Sequence, residues 1–264
     1  MKVSIIISTY NRPDALTLCL ESLLRQTVMP DEILIGDDGS DHRTAEVIQH
    51  YQQLAPVPLR HIWQEDKGFR LAMSRNRCIA SAQGDYIIET DGDLIFHKQF
   101  VADHITFAEK GWYIKGGRVN TTKEKAQALC LKQRYQQLDF FSSGLTRRIN
   151  AIRCLPIARY LSKRRKTASG LGCNMSFWKE DAIRINGYDE FYEGWGGEDH
   201  DFGTRMQKSG IKKKSLKFAG IVFHLWHNDL YMDNKEKNFS HLHDIEKGTG
   251  WRCKSGIDQY LQQD

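Results

Sequence analysis

The chain has 264 residues, 40% hydrophobic and 11% aromatic, enough to bury a substantial core, which excludes a disordered chain and a disulfide-stapled miniprotein. Charged residues make up 27%, and no apolar run approaches the roughly 18 residues of a membrane-spanning helix. The net charge of +5 is local: eight Lys or Arg and no acid lie in residues 147–166, and elsewhere acids outnumber bases.

After Met1 and Lys2, residues 3–7 form an apolar run too short for a secretory leader and without a small-residue cleavage site. They predict a first strand, and the chain is expected in the cytoplasm. Further runs at 32–35, 59–63 and 86–89 predict three more strands. Between them, Leu16, Leu20, Leu23 and Leu24, then Ala45, Ile48 and Tyr51, then Leu71, Ala72, Cys78, Ile79 and Ala82 recur at helical spacing. This alternation predicts right-handed crossovers and a mostly parallel α/β sheet of nucleotide-binding type, flanked by helices. Residues 119–169, with Gly144 as their one glycine, predict a helical insertion or lid; 170–210 are rich in glycine and aromatics; 215–226 predict one further strand running into a histidine-containing turn. The expected organisation is a single domain, 1–264, in three stretches: 1–115, 116–169 and 170–264. The six cysteines (Cys19, Cys78, Cys130, Cys154, Cys173, Cys253) form no Cys-x-x-Cys pair, as expected of reduced structural thiols.

In an open parallel sheet, ligands bind beyond the carboxyl ends of the strands. Three runs end there informatively: Ser8-Thr9-Tyr10-Asn11-Arg12, Asp37-Asp38-Gly39-Ser40 and Thr90-Asp91-Gly92-Asp93. Asp91 and Asp93 flank a glycine and repel one another, a cost that an adjacent Mg²⁺ or Mn²⁺ cancels; a type I turn uses the same residues. Asp38 is placed either to accept from a base N–H or to cap a helix starting near Asp41. In Trp195-Gly196-Gly197-Glu198-Asp199-His200-Asp201 the indole offers a face to a sugar ring, and a carboxylate on the following helical turn can serve as general base; a helix N-terminus decorated with acids looks the same. His224 and His227 follow an apolar strand, where an imidazole either binds metal or is a satisfied core residue; His224 is the stronger ligand candidate. Neither a P-loop nor a Gly-x-Gly-x-x-Gly turn follows the first strand.

Taken in order, the motifs from Ser4 to Arg12, Asp37-Asp38-Gly39-Ser40, Ser74-Arg75-Asn76, Gly84-Asp85-Tyr86-Ile87 and Asp91-Gly92-Asp93 resemble the signature of family 2 glycosyltransferases of the GT-A fold. Residues 172–205, with Asn174-Met175-Ser176-Phe177, Gly187-Tyr188-Asp189-Glu190 and the run from Trp195 to Asp201, are similar to the acceptor-side segment of β-1,4-galactosyltransferases and chondroitin-type polymerases. The resemblance implies that 1–115 bind a nucleotide sugar and 170–264 bind the acceptor. It implies inverting transfer of a hexose or N-acetylhexosamine from a UDP-sugar to a hydroxyl of a glycan or lipid-linked sugar, with Mn²⁺ or Mg²⁺, in cell-surface polysaccharide or lipopolysaccharide synthesis. Thr9, Tyr10 and Arg12 would line the nucleotide, Asp38 would bind the uracil edge, Arg75 would sit near the donor and Asp91 near the ribose. Asp93 and His224 would hold the metal, Asp199 would be the base, and Trp195 and Glu198 would place the acceptor. Two positions depart from the pattern: Leu94 stands where many relatives carry a further Asp, and His200 interrupts a run of acids.

A sugar-phosphate nucleotidyltransferase would use similar strand-end carboxylates without needing Trp195. A non-enzymatic protein would instead bind RNA or anionic membrane through 147–166. The expectation is a glycosyltransferase with no nucleic-acid partner, in which 147–166 either contacts the inner face of an anionic membrane or forms a solvated helical edge interrupted at Pro156.

Overall fold

The computed structural model describes residues 1–164, 172–228 and 233–261. Its first part alternates β1 (Val3–Thr9), α1 (Pro13–Leu23), β2 (Glu32–Asp37), α2 (His42–Leu54), β3 (Leu59–Trp63), α3 (Leu71–Ser81) and β4 (Tyr86–Asp91). Then follow β5 (Leu94–Phe96), α4 (Phe100–Phe107), β6 (Trp112–Gly116), β7 (Val119–Thr121), α5 (Lys123–Lys132), β8 (Leu145–Thr146) and α6 (Leu155–Ser162). The last part holds β9 (Asn174–Trp178), α7 (Lys179–Arg184), α8 (Glu198–Lys208), β10 (Lys212–Leu216), β11 (Val222–His224) and α9 (Lys235–Lys247).

The main sheet has the order β10-β6-β9-β4-β1-β2-β3, and β9 alone runs antiparallel to its neighbours. β1, β2 and β4 carry apolar runs because both faces are covered. Ile5, Ile7, Ile33 and Ile35 pack with α1 and α2, while Ile6, Leu34 and Ile87 pack with α3, α7 and α8. Ile5, Ile6 and Ile7 are fully buried, each contributing roughly 1.5–3 kcal/mol. Strand order reverses between β1 and β4, and the register there sets Ser8 against Asp91, while Thr9 lies against Asp37 on the other side. The switch point where ligands bind in such sheets therefore collects three of the polar strand ends.

A second sheet, β5-β11-β7-β8, corrects two expectations. Residues 215–226 are not one strand: β10 belongs to the main sheet and β11 to the small one, separated by a turn in which Phe218 (φ 66°) and Gly220 (φ 58°) are left-handed. Residues 119–169 carry β7 and β8 as well as helices, strands of only three and two residues that show no readable alternation. Pro156 does not interrupt a helix but starts α6, in the first turn, where its missing N–H costs nothing.

Three cations of the basic run 147–166 are engaged with the protein itself. Arg148 donates to the carbonyls of Leu145 and Phe140, Arg153 pairs with buried Asp103 at 2.7 Å, and Lys163 pairs with Glu109 at 2.9 Å. Arg165 and Lys166 lie outside the described residues. Among the described residues no helix is long and apolar enough to cross a membrane.

Candidate active site

On the β1–β2 side, two loops are laced together. The Asn11 N–H donates to Ser40 Oγ, and the Asp41 N–H donates to Asn11 Oδ1, both at 2.9 Å. The adjacent acids divide their work. Asp37 is structural, accepting from the Ser40 N–H and contacting His61 Nε2 at 2.8 Å. Asp38 is not the cap of α2; Asp41 fills that position by accepting from the Arg43 N–H. The Asp38 carboxylate accepts from Gln64 Nε2 at 2.5 Å and from the Arg70 N–H at 2.7 Å. Burial, only partly offset by these donors, pushes its carboxyl up to about 6. Asp38 and Tyr10 line a cavity of 290 Å³ that reaches Phe69, Glu193, Gly194 and Asp233. Thr9 is buried at the end of β1, and its hydroxyl has no protein partner.

Beside this cavity, the antiparallel pairing of β5 and β11 sets His224 against Leu94, next to Asp93, and the Leu225 N–H donates to the Asp93 carbonyl. Leu94 itself is buried in the core, so it offers no side chain to the site. Nε2 of His224 and Nε2 of His227 each lie 3.2 Å from Asp93 Oδ2, and the three ligating groups fall within 4.8 Å of one another. Asp93 Oδ1 is buried without a protein partner. Burial disfavours the Asp93 carboxylate, but the two imidazoles outweigh it and hold the carboxyl well below its usual range. Asp93 also raises the pKa of His227, against burial and the nearby Arg12. One carboxylate with a free buried oxygen and two imidazoles fit a divalent transition cation. Both histidines converge here, so His227 joins His224 as a candidate ligand, and the charge of Arg12 is felt at His227.

The third group surrounds Arg75 on α3, which is 2% exposed. Its guanidinium lies 3.4 Å from Glu89, 3.3 Å from Asp91 and 3.3 Å from Glu198, with the Tyr188 ring 5.2 Å away. Burial alone would weaken the cation, but these anions raise its pKa well above the ordinary value. The same burial, relieved in part by Arg75, pushes Glu89 and Glu198 up to about 7. Gly172 lies so close that a Cβ there would sit 2.4 Å from Arg75 Nη2, and its N–H donates to Asp199 Oδ2 at 2.8 Å. Asp91 at the end of β4 and Glu198 in the first turn of α8 thus share one cation, with Asp199 beside them.

Gly197 begins α8 at φ 101°, and a Cβ there would meet Tyr192 at 2.7 Å, so only glycine allows the sharp turn that presents Glu198 and Asp199 together. Asp201, the third acid of this run, is buried in a 2.6 Å pair with Arg205 and is structural. Trp195 is 36% exposed, with the Lys235 ammonium 5.4 Å from its ring. Asn76 is structural too: it bonds both backbone groups of Tyr188 and also Glu190.

Sequence reasoning assigned no individual role to Glu89, Tyr188 or Arg118, although Tyr188 stands in one of the motifs that carry the resemblance. Glu89 carried one signal, an acid closing an otherwise apolar run; Tyr188 donates to it at 2.5 Å. Arg118 left none; its Nη1 lies 3.9 Å from Cys173 Sγ, and its charge is felt at Asp91.

Residues 4–165 match the family model "Glycosyl transferase family 2", and 155–228 match "N-terminal domain of galactosyltransferase". A chondroitin synthase of Escherichia coli is 24% identical over 247 residues, 84% of this chain and 34% of that protein; the chain thus spans about a third of that relative's length. Among solved structures, a mannosyltransferase from Pyrobaculum calidifontis in complex with GDP-Man and Mn²⁺ superposes with a TM-score of 0.62 at 16% identity, covering 94% of this chain and 65% of that one. Staphylococcus aureus TarS 1–349 in complex with UDP-GlcNAc gives 0.61 at 16% identity, covering 93% and 65%. These likenesses confirm the expected GT-A type fold.

Proposed function

The chain belongs to glycosyl transferase family 2, and on that premise we propose that it is an inverting enzyme that moves a hexose or N-acetylhexosamine from a UDP-sugar to a hydroxyl of a glycan or lipid-linked acceptor, in cell-surface polysaccharide or lipopolysaccharide synthesis. One arrangement supports this reading above all: Arg75 binds Asp91 of the donor side and Glu198 of the acceptor side at 3.3 Å each, with Asp199 adjacent. Two sets of acids far apart in sequence would then serve one reacting pair of sugars.

In the proposed step the acceptor oxygen attacks the anomeric carbon from the face opposite the leaving group. Its proton passes to Asp199, the new C–O bond forms as the bond to the diphosphate breaks, and UDP departs. Asp38, between Gln64 and Arg70, would accept from the uracil edge, with Tyr10 and Thr9 beside it. Asp91 would meet the ribose, Arg12 would face the diphosphate, and Trp195 with Glu198 would hold the acceptor ring. Asp93, His224 and His227 would hold a divalent cation, which offsets the charge gathering on a leaving diphosphate. Two imidazoles favour Mn²⁺ over Mg²⁺, which prefers an all-oxygen shell. Exposed Arg159 and Arg164, in the same stretch of chain as exposed Ile149, Ile157 and Tyr160, support peripheral contact with an anionic membrane.

The test is a screen of UDP-sugars with Mn²⁺ or Mg²⁺, reading released UDP and thermal stabilisation. Cation-dependent release of UDP is expected, together with stabilisation by UDP. Release of pyrophosphate in its place, or no response to any nucleotide sugar, overturns the reading.

A further inference from the structure

A second cavity, of 270 Å³, opens at the carboxyl ends of β6 and β10 and is lined by Lys115, Arg118, Arg147, Asn150, Lys217 and Phe218 among others. Its four charged lining residues are all cationic, and no carboxylate is part of its lining. They arrive from separate segments: the end of β6, the β6–β7 link, the turn after β8, and the β10–β11 link. Only Arg147 belongs to the basic run of the sequence. Like charges gathered around one hollow favour the entry of an anion.

The backbone there is also unusual. Arg147 (φ 52°) and Phe218 (φ 66°) are left-handed without being glycine, a conformation seldom adopted by bulky side chains and maintained where the surroundings demand it. The Phe218 carbonyl accepts from the Cys154 N–H at 2.8 Å, and Arg118 is held by the Asn150 amide on its carbonyl at 2.9 Å.

Two of the lining cations, Arg118 and Lys115, lead from this cavity toward the proposed catalytic centre. Arg118 contacts Cys173, whose neighbour Gly172 donates to Asp199, and the charge of Asp199 is felt at Lys115. From this placement we infer that the cavity is a subsite for an oxyanion, a phosphate or a carboxylate, carried by the acceptor beside the hydroxyl that Asp199 deprotonates. The inference rests on the proposed role of Asp199. Two guanidiniums offer the forked donors that such oxyanions bind. The cavity lacks the carboxylate that the proposed base pocket has in Asp38, which suits an anionic group and not a nucleobase.

The test uses the whole chain and two probes, inorganic phosphate and glucuronate, titrated at low salt with and without saturating UDP and Mn²⁺. Saturable binding of at least one probe is expected with UDP present, and the stronger probe tells a phosphate-bearing acceptor from a carboxylate-bearing one. The double variant Arg147→Glu, Lys217→Glu should weaken that binding at least ~10-fold, the loss of one or more charge-assisted contacts, while UDP affinity and donor hydrolysis stay unchanged. Arg147→Ala alone, in a chain with the wild-type melting temperature, should weaken it in the same direction. Binding of neither probe, binding unaffected by the variants, or displacement of the probe by UDP overturns the inference; the last outcome gives the cavity to the donor diphosphate. Failure of the wild-type chain to bind UDP or hydrolyse any UDP-sugar would instead sink the glycosyltransferase reading itself.

Discussion

The two sides of the cleft are built on different principles. On the proposed donor side, Thr9, Asp38 and Asp91 sit at the ends of neighbouring parallel strands, and strand register brings them together. On the proposed acceptor side, Glu198 and Asp199 begin a helix whose place is set by side chains and close backbone approaches: Arg75 under Glu198, Gly172 against Asp199, Tyr192 against Gly197. Arg75 is the joint between them. A site divided this way should answer to mutation differently on its two sides, because a register tolerates the loss of a side chain and a side-chain joint does not.

The largest effect is therefore expected at the joint. Arg75→Met keeps the length but leaves Glu89, Asp91 and Glu198 facing one another with no cation, and removing one partner of a buried ionic cluster costs about 3–5 kcal/mol. Denaturant unfolding should register that loss. Glu89 and Glu198 already have carboxyls raised to about 7, so the neutral form is the one the fold favours. The defect should accordingly shrink as pH falls from 8 to 5, and a variant as stable as wild type at pH 8 would break the comparison. Next come Asp199→Asn and Asp93→Ala, each expected to keep the fold and lower turnover by a factor of about 100–1,000. They should part on binding: Asp199→Asn keeps cation-dependent UDP binding in calorimetry, and Asp93→Ala loses it. Loss of UDP binding in Asp199→Asn would mean that the two sides are not separable. A smaller loss is expected in His227→Ala, which should weaken Mn²⁺ binding at least as much as the roughly 10- to 100-fold seen for outer-shell partners, and equally with His224→Ala. A silent His227→Ala would leave His224 and Asp93 as the cation site.

The same division explains what was legible before the structure. β1, β2 and β4 are buried on both faces and carry apolar runs, so the proposed donor half and its strand-end motifs could be taken from the sequence in order. β9 resisted because its buried face is polar: Asn174 donates to the carbonyls of Gly117 and Gly220, and Ser176 lies between Tyr86 and His104. β10 begins Lys212-Lys213-Lys214, and the Lys214 ammonium is buried against the Phe107 carbonyl and Glu109. Strands whose polar groups are satisfied by remote partners carry no hydrophobic signature. The equivalence of His224 and His227 was hidden for a related reason, since it depends on a three-residue strand pairing with another of the same length. The cationic cavity could not be read at all, because its four charges come from segments that only the fold brings together.

The smallest effect tests the donor side alone, where side chains are expected to tune binding without moving the backbone. Burial raises the Asp38 carboxyl to about 6, so at pH 7 and above it is ionised and able to accept from a nucleobase N–H as well as from Gln64 and Arg70. As pH falls through about 6 it takes up a proton and loses acceptor capacity, so UDP affinity should decline, by at most tenfold per unit below that value. Stability should move the other way. An acid whose pKa is higher folded than unfolded stabilises the fold fully below its unfolded pKa, and that contribution is lost as pH rises through about 6. Asp38→Asn removes the titration, so its UDP affinity should be weaker but flat between pH 5 and 7.5, with unfolding free energy changing less over the same range than in wild type. If affinity and stability instead rose and fell together with pH, the titrating group would lie outside the base pocket, and the donor side would depend on its side chains for structure as the acceptor side does.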